Sequence, residues 1–355
     1  KGSPGMEIRR RGRAMNVLTF AHPEPPRERI PLRPVFLPFA GCPHRCLFCD
    51  QKSQTGTVPA PLEKIHATLE RELSLALERG DAPFEIGFYG GTFTALPGDW
   101  PERFLDLAAR FRDAGLVRRV RCSTRPDALE PGRLARLATR GLETVELGIQ
   151  SFDTGALAAS GRGYDGETAR AGCRAVLQAG LNLGVQLLPG LPGDRPGLFR
   201  RDVETAARLR PRFARLYPCL VLEGTALAAR WRAGEYTPWS PGRARAELSL
   251  TLPRLWRAGV TVIRMGLAPE PGLAARVLSG PVHPALGQQA RSLALLDLVR
   301  GQVARLGRAP RVLAVPQRFS GEFWGQGGCL ERAYVRLGLP RERVAFVGTE
   351  RFRLE

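Results

Sequence analysis

Between residues 34 and 219 one pattern recurs, a short apolar run followed by a longer amphipathic segment, and it constrains the fold more than any other feature. The runs at 34–39, 84–89, 117–123, 144–149, 182–188 and 213–219 have the length and character of strands. After the first of them, Leu62, Ile65, Leu69, Leu73 and Ala76 recur on one helical face of 61–79, and Gly80 stands where such a helix stops. Segment 99–114 carries Pro101 near its first turn, and 165–179 again ends on a glycine, Gly180. Strands separated by helices pair in parallel through right-handed crossovers. Six units fall short of the eight that close a barrel. An α/β fold is expected, either an open barrel or a doubly wound sheet.

Near residue 235 the rhythm changes. A helix-like 243–257 leads to a strand at 259–264, a loop holding Gly280, Pro281, His283, Pro284 and Gly287, and a long apolar segment at 288–306. The tail reads strand (311–316), short helix, Gly325-Gln326-Gly327-Gly328, helix (329–337), strand (343–347). Residues 1–31 mix Arg9, Arg10, Arg11 and Arg13 with Pro23, Pro25 and Pro26 and read as a loose basic leader. The expected organisation is a leader at 1–31, an α/β core at 32–235 and a smaller, basic α+β domain at 236–355.

At 355 residues, 43% hydrophobic and 25% charged, the chain can bury a full core, which excludes general disorder. No run of 18 apolar residues is present and the N-terminus lacks an apolar signal core, so a cytoplasmic protein without membrane partners is expected. The 53 Lys+Arg against 34 Asp+Glu leave a net charge of +19, the mark of a polyanionic partner. Only Lys1, Lys52 and Lys64 are lysines, a bias of the kind that genomic base composition produces. The shortage of acids is harder to discount, since residues 236–355 hold 18 Arg against 8 acids.

Three of the seven cysteines crowd into Cys42-Pro43-His44-Arg45-Cys46-Leu47-Phe48-Cys49, directly after the first strand. In a reduced compartment such spacing points to metal or redox chemistry rather than a disulfide framework. A zinc ion there needs a fourth ligand, from His44 or a distant cysteine. An iron–sulfur cube held by three cysteines instead leaves one iron open to a substrate or cofactor. The loop sits at the C-terminal end of a strand, where parallel α/β folds bind ligands. The scattered Cys122, Cys173, Cys219 and Cys329 read as small buried apolar residues.

C-x3-C-x-aromatic-C, with Phe48 as the aromatic, resembles the signature of the radical S-adenosylmethionine (SAM) superfamily. Gly90-Gly91-Thr92-Phe93-Thr94 follows the second strand, where glycines let a ligand approach and exposed N–H groups bind a carboxylate. At this place it resembles the superfamily motif that holds the SAM amino group. Glu146-Leu147-Gly148-Ile149-Gln150-Ser151-Phe152 is similar to the fourth-strand segment of the branch that includes the oxygen-independent coproporphyrinogen III oxidases and the elongator catalytic subunit. In that branch Gln150 and Arg162, twelve residues later, would contact SAM. Ser123 stands at the third strand end, where some relatives carry an acid. Gln186, ahead of Leu187-Leu188-Pro189-Gly190-Leu191-Pro192, takes a ribose-contacting position on the fifth.

The resemblance covers about residues 33–235 and is strongest toward the elongator-subunit-like group, through Gly90–Thr94 and Tyr217-Pro218. That subunit continues into an acetyltransferase domain, for which 355 residues leave no room, so acetyl-group chemistry is not carried over. What the resemblance implies is a partial (β/α)6 TIM-like barrel in which Cys42, Cys46 and Cys49 hold a [4Fe–4S] cluster. SAM would chelate the open iron beside Gly90, Gly91, Thr92, Ser123, Gln150, Arg162 and Gln186. An electron from flavodoxin or ferredoxin would then cleave SAM to methionine and a 5′-deoxyadenosyl radical.

The strand–helix–Gly-x-x-Gly–helix–strand order at 311–347 resembles the minimal unit of a KH-type RNA-binding module, whose glycine turn, here Gly325, Gln326, Gly327 and Gly328, clamps a nucleic-acid strand. Arg308, Arg311, Arg318, Arg332, Arg336, Arg341 and Arg343 surround it. The plain alternative is a small packing domain with solvated arginines. The expected substrate is a tRNA or rRNA nucleotide. Two other readings stay open: a radical reaction on a small molecule, as in a porphyrinogen decarboxylation, and a zinc-stabilised RNA-binding protein without catalysis. His283 between its prolines is a proton-transfer candidate or a packed loop residue.

Overall fold

The computed structural model describes residues 17–26, 28, 30–43, 45–51, 58–267 and 271–355. His44, raised above as a zinc ligand, and residues 1–16 of the expected leader lie outside the described residues. The chain forms two compact units, residues 24–287 and a second built from the N-terminal residues up to Pro23 with 288–355.

The larger unit is a seven-stranded sheet. Its strands are β2 (Leu32–Phe36), β3 (Phe84–Tyr89), β4 (Val117–Thr124), β5 (Thr144–Gln150), β6 (Asn182–Leu187), β7 (Phe213–Leu216) and β9 (Thr261–Met265), in that spatial order and parallel throughout. The first and last strands do not pair, so the sheet is an open half-barrel, as the strand count requires. Six strands were expected in the core and a seventh is found. β9 lies beyond the boundary expected at 235 yet pairs with β7. The run at 213–219 ends as a strand at Leu216, because the chain turns at Pro218 into β8 (Val221–Leu222), antiparallel to β10 (Val277–Ser279).

Helices cover the strands. α1 (Leu62–Glu78), α2 (Trp100–Asp113), α5 (Gly166–Gln178) and α8 (Pro241–Arg257) fall where the apolar periodicity placed them. Four more, α3 (Pro131–Thr139), α4 (Thr154–Ala159), α6 (Leu198–Leu209) and α7 (Ala226–Arg232), are short or Arg-rich and show no long apolar stripe. α6 nonetheless buries Leu198, Phe199, Val203, Ala206 and Ala207 on one face, and Asp202 with them. β3 and β5 are buried on both faces along most of their length. β3 is buried from Phe84 through Phe88, and Phe88 stacks on Phe93 with ring centroids 4.8 Å apart.

The smaller unit has a four-stranded sheet in the order β1 (Leu18–Phe20), β13 (Phe352–Leu354), β11 (Leu313–Pro316), β12 (Val344–Val347). Here the leader expectation is corrected: Leu18–Phe20 is a strand, paired antiparallel with Phe352–Leu354 because Leu18 and Phe20 bury their side chains in that core. α9 (Leu286–Leu306) contributes Leu295, Leu296 and Val299 to the same core. Between β11 and β12 lie a one-turn helix, α10 (Ser320–Phe323), the turn Gly325–Gly328 and α11 (Glu331–Arg336). The expected element order is present, with β11 and β12 parallel and adjacent. Among the described residues no helix is long and apolar enough to cross a membrane.

Candidate active site

The site begins where β2 ends. Leu37 N donates to Tyr89 O (2.7 Å), Phe39 N to Gly90 O (2.9 Å) and Thr92 N back to Ala40 O (2.8 Å), which laces the chain entering the cysteine loop to the glycine turn after β3. Close approach demands the glycine at 91. A Cβ there would stand 2.6 Å from Leu37 O and closer still to Ala40 O, both backbone atoms. Cys42 Sγ lies 3.3 Å from Thr92 Oγ1. Cys49 N donates to Cys46 O (3.1 Å), a turn that brings the second and third thiols round to the same side.

Cys46 is buried, and Arg162 Nη1 donates to its sulfur at 3.1 Å across 116 residues. Arg162 Nη2 also donates to Gly148 O (2.6 Å) and to the Tyr164 hydroxyl (2.8 Å). Burial opposes charge on Arg162, yet Tyr164 and Cys46 beside it hold its pKa above the ordinary value. Burial pushes the Cys49 thiol up to about 12, and the neighbouring Cys46 and Cys42 push the same way. Cys49 therefore sits in a dry setting beside two other sulfurs, where its thiolate is favourable only with a cation at hand.

All ten residues singled out for cluster and SAM line one cavity of about 490 Å³: Cys42, Cys46, Cys49, Gly90, Gly91, Thr92, Ser123, Gln150, Arg162 and Gln186. They come from the ends of β2 to β6 and the loops that follow, the C-terminal face of the sheet. Gln150 ends β5 in the left-handed region, at φ 67°, a strained backbone for a residue with a side chain. Gln186 Nε2 donates toward Gln150 Oε1 at 3.4 Å.

Several contributors were not singled out from sequence. Asp202 on α6 accepts from Ser151 Oγ and Phe152 N, both at 2.8 Å, and so anchors the turn that strains Gln150. Burial raises the Asp202 carboxyl to about 7, against the lowering effect of those two hydrogen bonds. Arg125 pairs with Asp127 at 2.7 Å and donates to Arg162 O (2.6 Å) from its Nη2, which braces the backbone of the cation nearest the thiols. Deeper in the barrel, Glu146 receives Arg215 Nε (2.7 Å), Arg121 Nη1 (3.3 Å) and the Tyr89 hydroxyl (2.8 Å). Burial first and the Glu146 charge second hold the Tyr89 phenol well above its ordinary pKa.

Gly325, Gln326, Gly327 and Gly328 do not line this cavity. Gln326 and Gly327 are exposed in the smaller unit, with Gly327 in the left-handed region at φ 61°. Cys122, Cys173 and Cys219 are buried, as read from sequence, but Cys329 is exposed beside that turn, so its assignment to a core is corrected. A turn between two short helices offers it no layer to sink into. His283 accepts from Ala285 N through Nδ1 (3.0 Å) and does not line the cavity, which makes it a loop residue.

Two family models match the chain, that of the radical SAM superfamily over residues 36–206 and that of the radical SAM C-terminal domain over residues 211–294. The chain belongs to the radical SAM superfamily. A tRNA uridine(34) acetyltransferase of Methanocaldococcus infernus is 27% identical over 239 residues, 56% of this chain and 45% of that protein. A heme chaperone of Mycobacterium tuberculosis is 30% identical over 209 residues, 57% of this chain and 53% of that protein. The solved structure of the archaeal Methanocaldococcus infernus Elp3 aligns with a TM-score of 0.54 at 20% identity, covering 79% of this chain and 64% of that one, which is a likeness of fold. The chain spans about half the length of the curated relatives named here.

Membership in the radical SAM superfamily implies an iron–sulfur cluster and SAM, and the donor set fits them. Cys42, Cys46 and Cys49 line the cavity, and the Gly90–Thr92 turn, Gln150 and Gln186 line it with them, which gives three thiols for the cluster and polar groups for SAM in one space.

Proposed function

We propose that this radical SAM enzyme holds a [4Fe–4S] cluster on Cys42, Cys46 and Cys49, binds SAM against Gly90, Gly91, Thr92, Ser123, Gln150, Arg162 and Gln186, and modifies a nucleotide of a tRNA or rRNA. The observation that carries the site is the convergence of those ten residues, spread over 145 positions from Cys42 to Gln186, on one cavity. When bound, the cluster and SAM supply a carbon-centred radical after one-electron reduction, with flavodoxin or ferredoxin as donor. The chain's own residues bind and orient. The glycine turn at Gly90-Gly91 receives the amino-acid end of SAM, Arg162 offers positive charge beside Cys46, and Gln150 and Gln186 present amides to the ribose side. Apolar walls from Phe36, Phe48 and Leu188 exclude water from the reaction.

Three observations support RNA as the substrate. The net charge is +19. The smaller unit exposes Arg311, Arg332 and Arg336, whose side chains make no ion pair among the described residues. The third is the tRNA-acting name of a relative. Arg341 and Arg318 belong less to such a surface, since Glu331 (2.7 Å) and Glu350 (3.8 Å) engage them.

The test is anaerobic reconstitution with iron and sulfide, addition of dithionite and SAM, and mass spectrometry of 5′-deoxyadenosine. Release is expected from the parent and not from Cys46→Ala, with bulk tRNA or rRNA raising the rate or yielding a modified nucleoside. A colourless zinc protein that leaves SAM intact would overturn the enzyme assignment. Release unaffected by any RNA would overturn the substrate class.

A further inference from the structure

The inner face of the half-barrel carries Arg121, Arg215 and Arg264 together with Glu85 and Glu146. Arg121 on β4 pairs with Glu85 on β3, its Nε donating at 2.8 Å, and also reaches Glu146. Arg215 on β7 pairs with Glu146 at 2.7 Å. Both carboxylates are thereby engaged by two guanidinium groups. The third, Arg264 on β9, stands beside Arg215 in strand register and lines the same cavity, partly buried. It makes no hydrogen bond or ion pair among the described residues.

Tyr217 completes the feature. Its hydroxyl accepts from Arg215 Nη1 at 3.1 Å, which leaves its own proton to be given into the cavity it lines. A guanidinium partly withdrawn from water without a counter-ion is costly, and an anion that meets it offsets part of that cost. Its planar fork matches the paired oxygens of a carboxylate or phosphate. Leu220, Leu222 and Leu267 wall the same cavity and lower the local dielectric, which strengthens such a pairing.

We propose that Arg264, with the Tyr217 hydroxyl as a second donor, binds an oxyanion of the substrate, a phosphate or a carboxylate. The inference rests on the proposed function, because it takes the cavity assigned to SAM as the place of reaction. The residues assigned to the cluster and SAM come from β2 to β6, whereas Arg264 and Tyr217 come from β9 and the end of β7, at the other edge of the sheet. The substrate therefore enters with its charged group at the β7–β9 side and its reacting part toward the cysteine loop. A phosphate there marks a nucleotide and a carboxylate marks a smaller organic acid.

The experiment uses the full chain, anaerobically reconstituted, with inorganic phosphate, acetate and neutral acetamide as probes at constant ionic strength set by chloride. Thermal unfolding midpoints are followed against probe concentration, since a ligand of the folded state raises them by mass action. SAM binding is measured separately by equilibrium dialysis. The parent is expected to gain stability with phosphate or acetate but not acetamide. Arg264→Gln should weaken that anion at least tenfold, about 1.4 kcal/mol, with SAM binding within twofold of the parent. Arg264→Lys keeps charge without the fork and should fall between, and it carries the test should Arg264→Gln fail to fold. Response to phosphate alone names the nucleotide source, and response to acetate alone the organic acid. Equal responses from parent and Arg264→Gln would overturn the proposal, as would loss of SAM binding in that variant, which would place Arg264 on the cofactor. A chain that takes up neither cluster nor SAM yet keeps the Arg264-dependent response would end the proposed function and leave the anion site standing.

Discussion

Gly91→Ala isolates the contact on which the cysteine loop depends. The added Cβ would stand 2.6 Å from Leu37 O and closer to Ala40 O, whereas carbon and oxygen rest about 3.5 Å apart, so the segment 37–40 must retreat by about 1 Å. That retreat breaks or lengthens the Thr92 N to Ala40 O bond, worth about 1 kcal/mol net. Overpacking against rigid backbone adds roughly 1–3 kcal/mol. The destabilisation should total about 2–4 kcal/mol. The displaced segment leads straight into Cys42, whose sulfur rests against Thr92, so the damage falls on the proposed cluster ligands before it falls on the core. The assay is iron and sulfide per chain after anaerobic reconstitution, visible absorbance and SAM affinity by dialysis, with the denaturant midpoint alongside. Iron content should drop by half or more and SAM affinity at least tenfold. A variant with the parent's iron content and SAM affinity within twofold would refute the claim that backbone approach at Gly91 positions the loop.

Other substitutions bear on neighbouring links. Arg162→Lys replaces a fork that reaches Cys46 Sγ, Gly148 O and the Tyr164 hydroxyl together with a point charge that cannot span them, and dialysis should show SAM binding weakened tenfold or more. Asp202 keeps its proton to about pH 7 when folded but releases it near its ordinary 3.8 when unfolded, so stability falls as pH rises between those values. Asp202→Asn removes that slope, and chemical unfolding at pH 5 and 8 should show the variant gaining on the parent by about 2.5 kcal/mol; parallel pH profiles would contradict it. Removing Arg311, Arg332 or Arg336 should each lower the slope of log affinity for RNA against log salt by about 0.7–0.9, without altering 5′-deoxyadenosine release in the absence of RNA. Gly301→Ala, in the exposed interior of α9 with nothing within 4 Å of a new Cβ, should stabilise the chain by about 0.5–1 kcal/mol in a denaturant melt.

Spacing along the chain determined the parts whose chemistry is local. The C-x3-C-x2-C loop, the Gly90-Gly91 turn and the strands Phe84–Tyr89 and Thr144–Gln150 depend on side chains within a few residues of one another; their order implied the fold class, and the family they resemble implied the cofactor. Tertiary structure decided what pairs across distance. Sequence named Arg162 but could not say that it reaches Cys46, 116 residues away, because that contact depends on how β5 and the cysteine loop are placed by the sheet. Asp202 carries no signal of its own in the sequence, where it follows two arginines, and only the packing of α6 turns it onto Ser151. The seventh strand lay past a change of rhythm, and only pairing with β7 made it part of the barrel. Charge behaves the same way. Composition counts 53 cationic side chains, but that Glu85 and Glu146 neutralise Arg121 and Arg215 and leave Arg264 facing the cavity is decided by strand register, which sets which side chains share a face.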